Sequence, residues 1–345
     1  MSTQPESPPI LSAVSSSARQ LFLLLRCIGF GSKAQVQPTE DGIRFSVEES
    51  SVMEGMAFLG KTLFSSFQFT PPQVQPDTVD TTQESGDVDP FSISLAALLE
   101  TLQIFGLSEL SKPTPWNRDP YNRDAFSAQA LGLSGICRLR YDSVGSPLVI
   151  ILEEAGISTT CKLVTYEPAY DSDIPFARLE LGMKIIMQAS YLADAITELS
   201  TSNPEHLTIR ATDTFLILSA SGDHGSAVVQ FHRDNKAVQE NDALAAGPNA
   251  VPKRNRGILE TFQVSGESFS QSYKFSHISN TKKALQSAIK VSIRGDSQGV
   301  LSLQFMIENL EGGGVSFVDY RFIPLVRDEG YEEDEELGDI GAPES

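Results

Sequence analysis

The chain has 345 residues, of which 40% are hydrophobic, and a formal net charge of −19. It exceeds the roughly 250 to 300 residues at which single hydrophobic cores stop growing, so two domains are expected. The acidic balance argues against a protein that adheres to nucleic acid over its whole surface.

Part of the acidity is concentrated at the C-terminal end of the sequence. Residues 328–345 contain nine acidic residues and no basic residue, and we predict that they form an acidic tail. Subtracting this segment leaves a charge of −10 on the rest of the chain. The body of the protein is therefore acidic as well.

The cellular compartment is predicted from what the sequence lacks. The three cysteines, Cys27, Cys137 and Cys161, are widely spaced and suggest neither a disulfide framework nor a zinc site. The first ten residues do not have the pattern of a signal peptide, and the longest apolar run is too short to span a membrane. We expect a nuclear or cytosolic protein without a membrane partner.

The first predicted helix is Ser15–Ile28, which follows a polar leader (residues 1–9) that we predict to be disordered. Serines stand at the start of the helix and glycines follow its end, as is typical of helix ends. Its apolar side chains cover most of the circumference and leave a narrow polar stripe of Ser15, Arg19 and Arg26. Such a helix is expected to pack on a large apolar surface.

Strands are predicted after this helix. Ile43, Phe45 and Val47 alternate with polar residues, which predicts a hairpin with one solvent-exposed face. Further strands are predicted at Val52–Leu59 and Thr62–Phe69, before a loop at 71–90. A second helix, Ser92–Phe105 with Ser92 as its cap, and three apolar strands then lead to a polar connector at 167–177.

The second half of the sequence repeats this organisation. The predicted order is a strand at Arg178–Gln188, a helix at Ser190–Ser200, three strands, a loop at 234–257, two strands, a helix at Ser279–Ile289 and three final strands. Four units of a helix followed by antiparallel strands form an internal repeat. We predict an α+β fold of two similar domains, 10–166 and 178–327, each with two helices packed on antiparallel sheets.

No motif indicates a catalytic, metal or cofactor site, and we expect none. Gly29–Ala34 matches a GxGxxA dinucleotide pattern, but it follows a helix, whereas that fingerprint follows a strand and opens a helix. The histidines lack metal-binding spacing and are interpreted as structural or surface residues: His206, His224, His232 and His277.

A nuclease remains the alternative interpretation. Asp171 and Asp173, or Glu48 and Glu49, could in principle hold magnesium, because two-metal chemistry needs converging carboxylates. Neither pair belongs to a convincing constellation, and the two aspartates lie in a polar connector where acidic residues usually face solvent.

One positive signal lies on the fourth predicted helix. Lys282, Lys283 and Lys290 are predicted to share one face of it, although an ordinary solvated face would have the same pattern. If the four equivalent helices lie side by side, these lysines share one surface with Arg19 and Arg26 of the first helix.

A family resemblance supports the repeat. The segment Lys33–Leu59, together with YKFSHISNTKKAL and VSFVDYRFIPL, resembles the Rad-one (Rec-one) subunits of the nine-one-one checkpoint clamp, which are PCNA-like DNA sliding clamps. The resemblance extends over roughly Pro9 to Glu329, and the loops 71–90 and 234–257 look like insertions. It implies a DNA-clamp fold in which each domain turns two helices toward a central hole and its sheets outward.

The resemblance also implies a function. This chain would be a non-catalytic subunit of a heterotrimeric ring that encircles double-stranded DNA at damage sites in the nucleus and recruits checkpoint and repair proteins. The implied partners are Rad-nine-like and Hus-one-like subunits, a checkpoint clamp loader, and repair enzymes that bind through short peptides. The alternative is a 3'-5' exonuclease acting in the damage response.

The resemblance to the clamp subunits implies three groups of candidate site residues. Since only the lining of a ring must be basic, the DNA-facing candidates are Arg19, Arg26, Lys282, Lys283 and Lys290. Subunits would join at the strand edges Thr159–Tyr166 and Ser226–His232, through Lys162, Leu163, Val164, Val228, Val229 and Phe231. A partner-peptide pocket would be formed by Val52, Ile174, Phe176, Pro324 and Leu325, which could equally pack the domain junction.

Overall fold

The computed structural model describes residues 8–71, 88–104, 136–154, 156–168, 173–233, 258–310 and 313–326. Several predictions fall outside these residues: most of the leader 1–9, most of the loop 71–90, Phe105 at the end of the second helix, Asp171 in the connector, the loop 234–257 and the tail 328–345.

In the first half of the chain, a strand leads into each helix. The elements are β1 (Leu11–Ser15), α1 (Ala18–Cys27), β2 (Lys33–Thr39), β3 (Gly42–Glu49), β4 (Met53–Gly60), β5 (Ser66–Phe69), β6 (Phe91–Ser94), α2 (Leu95–Leu102), β7 (Ile136–Tyr141), β8 (Leu148–Glu154) and β9 (Ile157–Leu163).

The second half has the same alternation. Its elements are β10 (Leu181–Gln188), α3 (Ala189–Leu199), β11 (Pro204–Ala211), β12 (Phe215–Gly222), β13 (Gly225–His232), β14 (Leu259–Val264), β15 (Phe269–Lys274), α4 (Phe275–Ser279), α5 (Lys282–Ser287), β16 (Lys290–Asp296), β17 (Leu301–Glu308) and β18 (Val315–Phe322).

The described strands form three antiparallel sheets. A five-stranded sheet has the order β5-β1-β7-β8-β9, and a four-stranded sheet has the order β13-β12-β11-β15. The nine-stranded sheet, β14-β10-β16-β17-β18-β4-β3-β2-β6, combines strands from both halves of the chain. Its halves meet where β4 pairs with β18, with Ala57 opposite Val318 and Met53 opposite Phe322. The predicted α+β class is confirmed.

The strand ahead of each helix pairs with a strand from the other repeat of the same half of the chain. β1 joins β7 and β6 joins β2, so the two repeats of the first half exchange their first strands. β10 joins β16 and β15 joins β11, which is the same exchange in the second half. Each exchange ties a pair of sheets together through the helix that follows the exchanged strand.

The starts of the first two predicted helices are wrong by a few residues. Ser15 is the last residue of β1, and Ser17 caps α1 by accepting the backbone N–H three residues later at 3.2 Å. Ser92 lies in β6, and Ser94 caps α2 in the same way, also at 3.2 Å. The strands LSAVS and FSIS are too short to show a clear alternation, and their serines resemble helix caps.

The fourth predicted helix, Ser279–Ile289, contains only the last residue of α4 and all of α5. Between them lies Thr281, which is buried and whose hydroxyl donates to the carbonyl of Ile278 at 2.7 Å. Such local side-chain bonds compete with the helical ladder. The second of these helices ends at Ser287, and Lys290 is the first residue of β16 rather than a helical residue.

α1 connects the two halves of the core. Its end carries carbonyl groups that have no partner within the helix. The buried Tyr320 of β18 donates its hydroxyl to one of them, the carbonyl of Cys27. The start of α1 is fixed by Gln20, whose side chain bonds Asn309 at 3.3 Å and accepts the N–H of Leu310 at 2.8 Å. The helix of one half therefore rests on the strands of the other.

We expect Tyr320→Phe to lower the free energy of unfolding by about 1 kcal/mol, because the Cys27 carbonyl stays buried without its donor. The matched control is Tyr191→Phe, since Tyr191 lies on α3 and is exposed; its expected effect is close to zero. Urea denaturation followed by circular dichroism measures both values. Equal stability of the two variants and the wild type would contradict this role of Tyr320.

Candidate nucleic-acid interface and strand edges

The helices lie side by side in the order α2, α1, α5, α3, as their mutual contacts show. On α1, Arg19 and Arg26 are partly exposed, and on α5, Lys282 and Lys283 are exposed. The ammonium of Lys283 lies 3.4 Å from the carbonyl oxygen of Gly29, just beyond the end of α1. The structure therefore places these four cations on two neighbouring helices at the centre of the row.

Lys290 does not belong to this group, so its prediction as a residue of the same helix face is wrong. Val291 and Ile293 of β16 point into the core, so the alternation of a strand places Lys290 on the opposite face of the sheet. There its ammonium lies 2.6 Å from a carboxylate oxygen of Glu260.

The flanking helices carry acidic side chains instead. α3 exposes Asp194 and Glu198, and α2 exposes Glu100. Within the described helices the basic surface is therefore a stripe over α1 and α5, flanked by acidic residues on both sides.

Two strand edges lie where they were predicted. Among the described strands, β9 pairs only with β8, and β13 pairs only with β12, so each has one open side. Lys162 and Leu163 belong to β9, while Val164 follows the end of that strand and is exposed. The predicted edge is too long because Tyr166 leaves the sheet and bonds the backbone of Ser92.

On β13, the exposure of the predicted interface residues differs. Val228 is 63% exposed, Val229 is partly buried against the core, and Phe231 is buried. Val228 is therefore the member of this set that offers apolar surface to another chain.

The predicted peptide-pocket residues occupy two positions beside the connector. Ile174 is buried, and its N–H donates to a carboxylate oxygen of Glu54 at 3.1 Å; Phe176 lies beneath the guanidinium of Arg294. The other three are partly buried near the strand ends, at Val52, Pro324 and Leu325. The burial of Ile174 fits a packing role at the junction, and the remaining four residues retain exposed surface.

A buried ionic cluster, which the sequence analysis missed, holds the connector on the sheet. Glu54 is 1% exposed and lies 3.4 Å from Arg44 and 3.8 Å from Arg321. Arg321 also donates to the carbonyl of Ile174, and Arg44 forms an ion pair with Asp173. The available signal was a glutamate inside the apolar strand MEGMAFLG.

The same cluster shifts the titration of Glu54. Burial, and after it the charge of Asp173, raises the pKa of Glu54 to about 7, although Arg321 and Arg44 act in the opposite direction. Together, these effects favour the protonated carboxyl of Glu54 in the folded protein more than in the unfolded chain.

The candidate nuclease carboxylates have other partners. No group of three or more His, Cys, Asp or Glu residues that could hold a metal ion occurs among the described residues. Asp173 pairs with Arg44, Glu48 accepts the N–H of Ser51, and Glu49 accepts a hydrogen bond from Asn280 at 3.0 Å.

Of the histidines, His206, His224 and His232 are exposed and His277 is buried. In the part of the chain that is described, no helix could span a membrane.

The chain is similar to known proteins in both sequence and structure. The family described as "Repair protein Rad1/Rec1/Rad17" matches residues 10–307. DNA damage checkpoint control protein rad1 of Schizosaccharomyces pombe is 33% identical over 313 residues, covering 89% of this chain and 84% of the relative. Cell cycle checkpoint protein RAD1 of Homo sapiens is 30% identical over 315 residues, covering 91% of each.

Two further matches bear on fold and activity. DNA repair exonuclease REC1 of Mycosarcoma maydis is 27% identical over 201 residues, 54% of this chain and 42% of that protein. The crystal structure of proliferating cellular nuclear antigen from Entamoeba histolytica superposes with a TM-score of 0.62 at 13% identity, covering 92% of this chain and all of that one. The predicted PCNA-like clamp fold is confirmed by this superposition.

The titration of Glu54 gives a pH prediction. Because its pKa is raised on folding, the stability that its proton contributes is lost as the pH rises from 4.5 to about 7. We expect Glu54→Gln to lose less stability than the wild type between pH 5 and pH 7.5, by roughly 2 kcal/mol. Urea denaturation at both pH values measures the difference.

The matched control for this prediction is Glu153→Gln, since Glu153 lies at the surface of the five-stranded sheet. That variant should follow the wild-type pH dependence. If the stability of Glu54→Gln also follows the wild-type pH dependence, the raised pKa of Glu54 is wrong.

Proposed function

The chain belongs to the Rad1/Rec1/Rad17 family of repair proteins, and on that premise we propose that it is a non-catalytic subunit of a heterotrimeric checkpoint clamp. The clamp encircles double-stranded DNA in the nucleus and recruits checkpoint and repair proteins. The observation that carries the proposal is the basic stripe of Arg19, Arg26, Lys282 and Lys283 on neighbouring helices of a protein with a net charge of −19.

The basic stripe suits a sliding contact. In a clamp, the closed ring retains the DNA, so the lining only has to make weak, sequence-independent contacts with phosphates. Four cations on this subunit supply such contacts, and the acidic residues on α2 and α3 limit them to the centre of the helix layer. The partner subunits supply the rest of the basic lining.

Ring closure uses the open sides of β9 and β13. An unpaired strand edge offers N–H and C=O groups to a strand of another chain, and side chains such as Val228 add apolar contact. The two partners are the Rad-nine-like and Hus-one-like subunits, and residues 10–166 and 178–327 are the two clamp domains. A ring of three copies of this chain is the alternative assembly.

Recruitment takes place beside the connector. Val52, Phe176, Pro324 and Leu325 keep exposed surface there, and the ionic cluster of Glu54 positions the connector segment that carries Phe176. Short peptides of repair enzymes bind at these residues, while Ile174 packs beneath them as part of the junction.

A 3'-5' exonuclease is the second candidate, favoured by the name of the Mycosarcoma maydis relative. The side chain of Asp173 is engaged by Arg44, and its candidate partner Asp171 lies outside the described residues. Purified chain with Asp171→Asn and Asp173→Asn discriminates the two functions. Magnesium-dependent DNA degradation that is lost in this variant would favour the exonuclease.

Solution mass tests the assembly. We expect the purified chain to form a one-to-one-to-one complex with the two partner subunits, measured by size-exclusion chromatography with light scattering. Val228→Asp and Ile157→Asp each add a charge at one open edge, at positions that are 63% and 59% exposed. Each variant should lose one partner and leave a one-to-one complex with the other, with affinity for the lost partner at least about tenfold weaker.

The control for the edge variants is Val144→Asp, in the exposed turn between β7 and β8. It should assemble as the wild type does. A stable homotrimer of the wild-type chain would overturn the partner assignment, and full assembly of both edge variants would overturn the edges.

The DNA contact gives a separate prediction. The logarithm of the DNA-binding constant falls linearly with the logarithm of the salt concentration. In the assembled complex, the double variant Lys282→Gln, Lys283→Gln should reduce the steepness of this slope by about 2, because two phosphate contacts are lost. The double variant Lys61→Gln, Arg140→Gln removes the same charge elsewhere and should keep the wild-type slope. Equal slopes for both double variants would show that α5 does not contact DNA.

A further inference from the structure

The face of the nine-stranded sheet that points away from the helices carries a groove of about 320 Å³. Its apolar lining includes Ile186, Met306 and Phe317, from β10, β17 and β18 of this sheet. Met306 and Phe317 are direct cross-strand partners, and Phe317 is 45% exposed. The groove therefore presents an apolar floor to solvent.

The rim of the groove is basic. Lys290 pairs with Glu260, and Arg294 lies 3.6 Å from Asp319, so these two cations are largely neutralised. Lys184, which lines the same groove, has no ion pair among the described residues. The site thus combines an unpaired positive charge with exposed apolar side chains, on a protein that is acidic elsewhere.

We propose that this groove binds the acidic sequence 328–345 of the same chain. That segment has nine acidic residues, with Tyr331, Leu337 and Ile340 placed among them. It therefore offers carboxylates for Lys184 and apolar side chains for Phe317 and its neighbours. The rest of the chain carries a net charge of −10, which repels the same segment from most other surfaces.

The length of the segment permits this contact. Phe317 precedes Phe322, the end of β18, by five residues, which is roughly 17 Å along a strand. The last described residue, Val326, is 92% exposed. The segment 328–345 can span roughly 60 Å when extended, several times the distance back along β18.

Covalent attachment favours this occupant over an acidic peptide from another protein. A tethered segment competes at an effective concentration on the order of millimolar, without any new contact. External partners of this face must therefore displace the tail. The groove and the tail belong to one chain, so the inference does not depend on ring assembly.

Zero-length carbodiimide cross-linking of the full chain tests the proposal, because it couples a lysine to a carboxylate only when the two are in contact. We expect cross-links from Lys184 and Lys290 to acidic residues of 328–339, found by mass spectrometry after trypsin cleaves at Arg327. Phe317→Ser should lower their yield at least fivefold, and Lys184→Glu should lower the remaining yield at Lys290 severalfold. Val144→Ser, in an exposed turn, should leave the yield unchanged.

The contact between Lys290 and Glu260, at 2.6 Å, provides an internal standard for the reaction. The proposal is overturned if this pair is coupled while no tail cross-link forms, or if the tail couples to Lys282 and Lys283 instead. It is also overturned if a mixture of isotope-labelled and unlabelled chains gives mainly mixed cross-links, because the occupant would then be a second copy. Cross-links within single chains that depend on Phe317 support it.

Discussion

The pairing of β4 with β18 is the contact on which the arrangement of the whole chain depends. It joins strands from opposite halves of the sequence into one antiparallel ladder, from Met53–Phe322 to Ala57–Val318. Without it, the nine-stranded sheet would be two separate sheets. Through it, Tyr320 reaches the end of α1, and α1 comes to lie beside α5. The basic stripe exists because helices from both halves are held next to each other by this ladder.

The same sheet separates three kinds of surface. The helices and their four cations lie on one side of it, the connector and the groove lie on the other, and the open strands β9 and β13 belong to the two smaller sheets. In the proposed ring, these surfaces face DNA, partner peptides and neighbouring subunits respectively. An acidic chain can serve as a clamp because encirclement, rather than general attraction, retains the DNA.

The repeat of helices and strands could be predicted from the sequence because each helix and most strands have a clear period. β1 and β6 could not, because strands of five and four residues are too short to show alternation and contain serines that resemble caps. Lys290 was misassigned because the predicted helix ends at Ser287 and the backbone is already extended at Ala288. The cluster around Glu54 depends on contacts between residues that are 120 and 147 positions apart, which no local pattern indicates.

The most direct test of the account is retention of the loaded heterotrimer on circular and on linear DNA at high salt. Encirclement predicts that the complex stays on a nicked circular plasmid at a salt concentration that abolishes ordinary phosphate contacts, and that it leaves once a restriction enzyme opens the circle. Retention that is the same before and after cutting would show that the complex binds DNA by contact alone, and it would contradict the clamp.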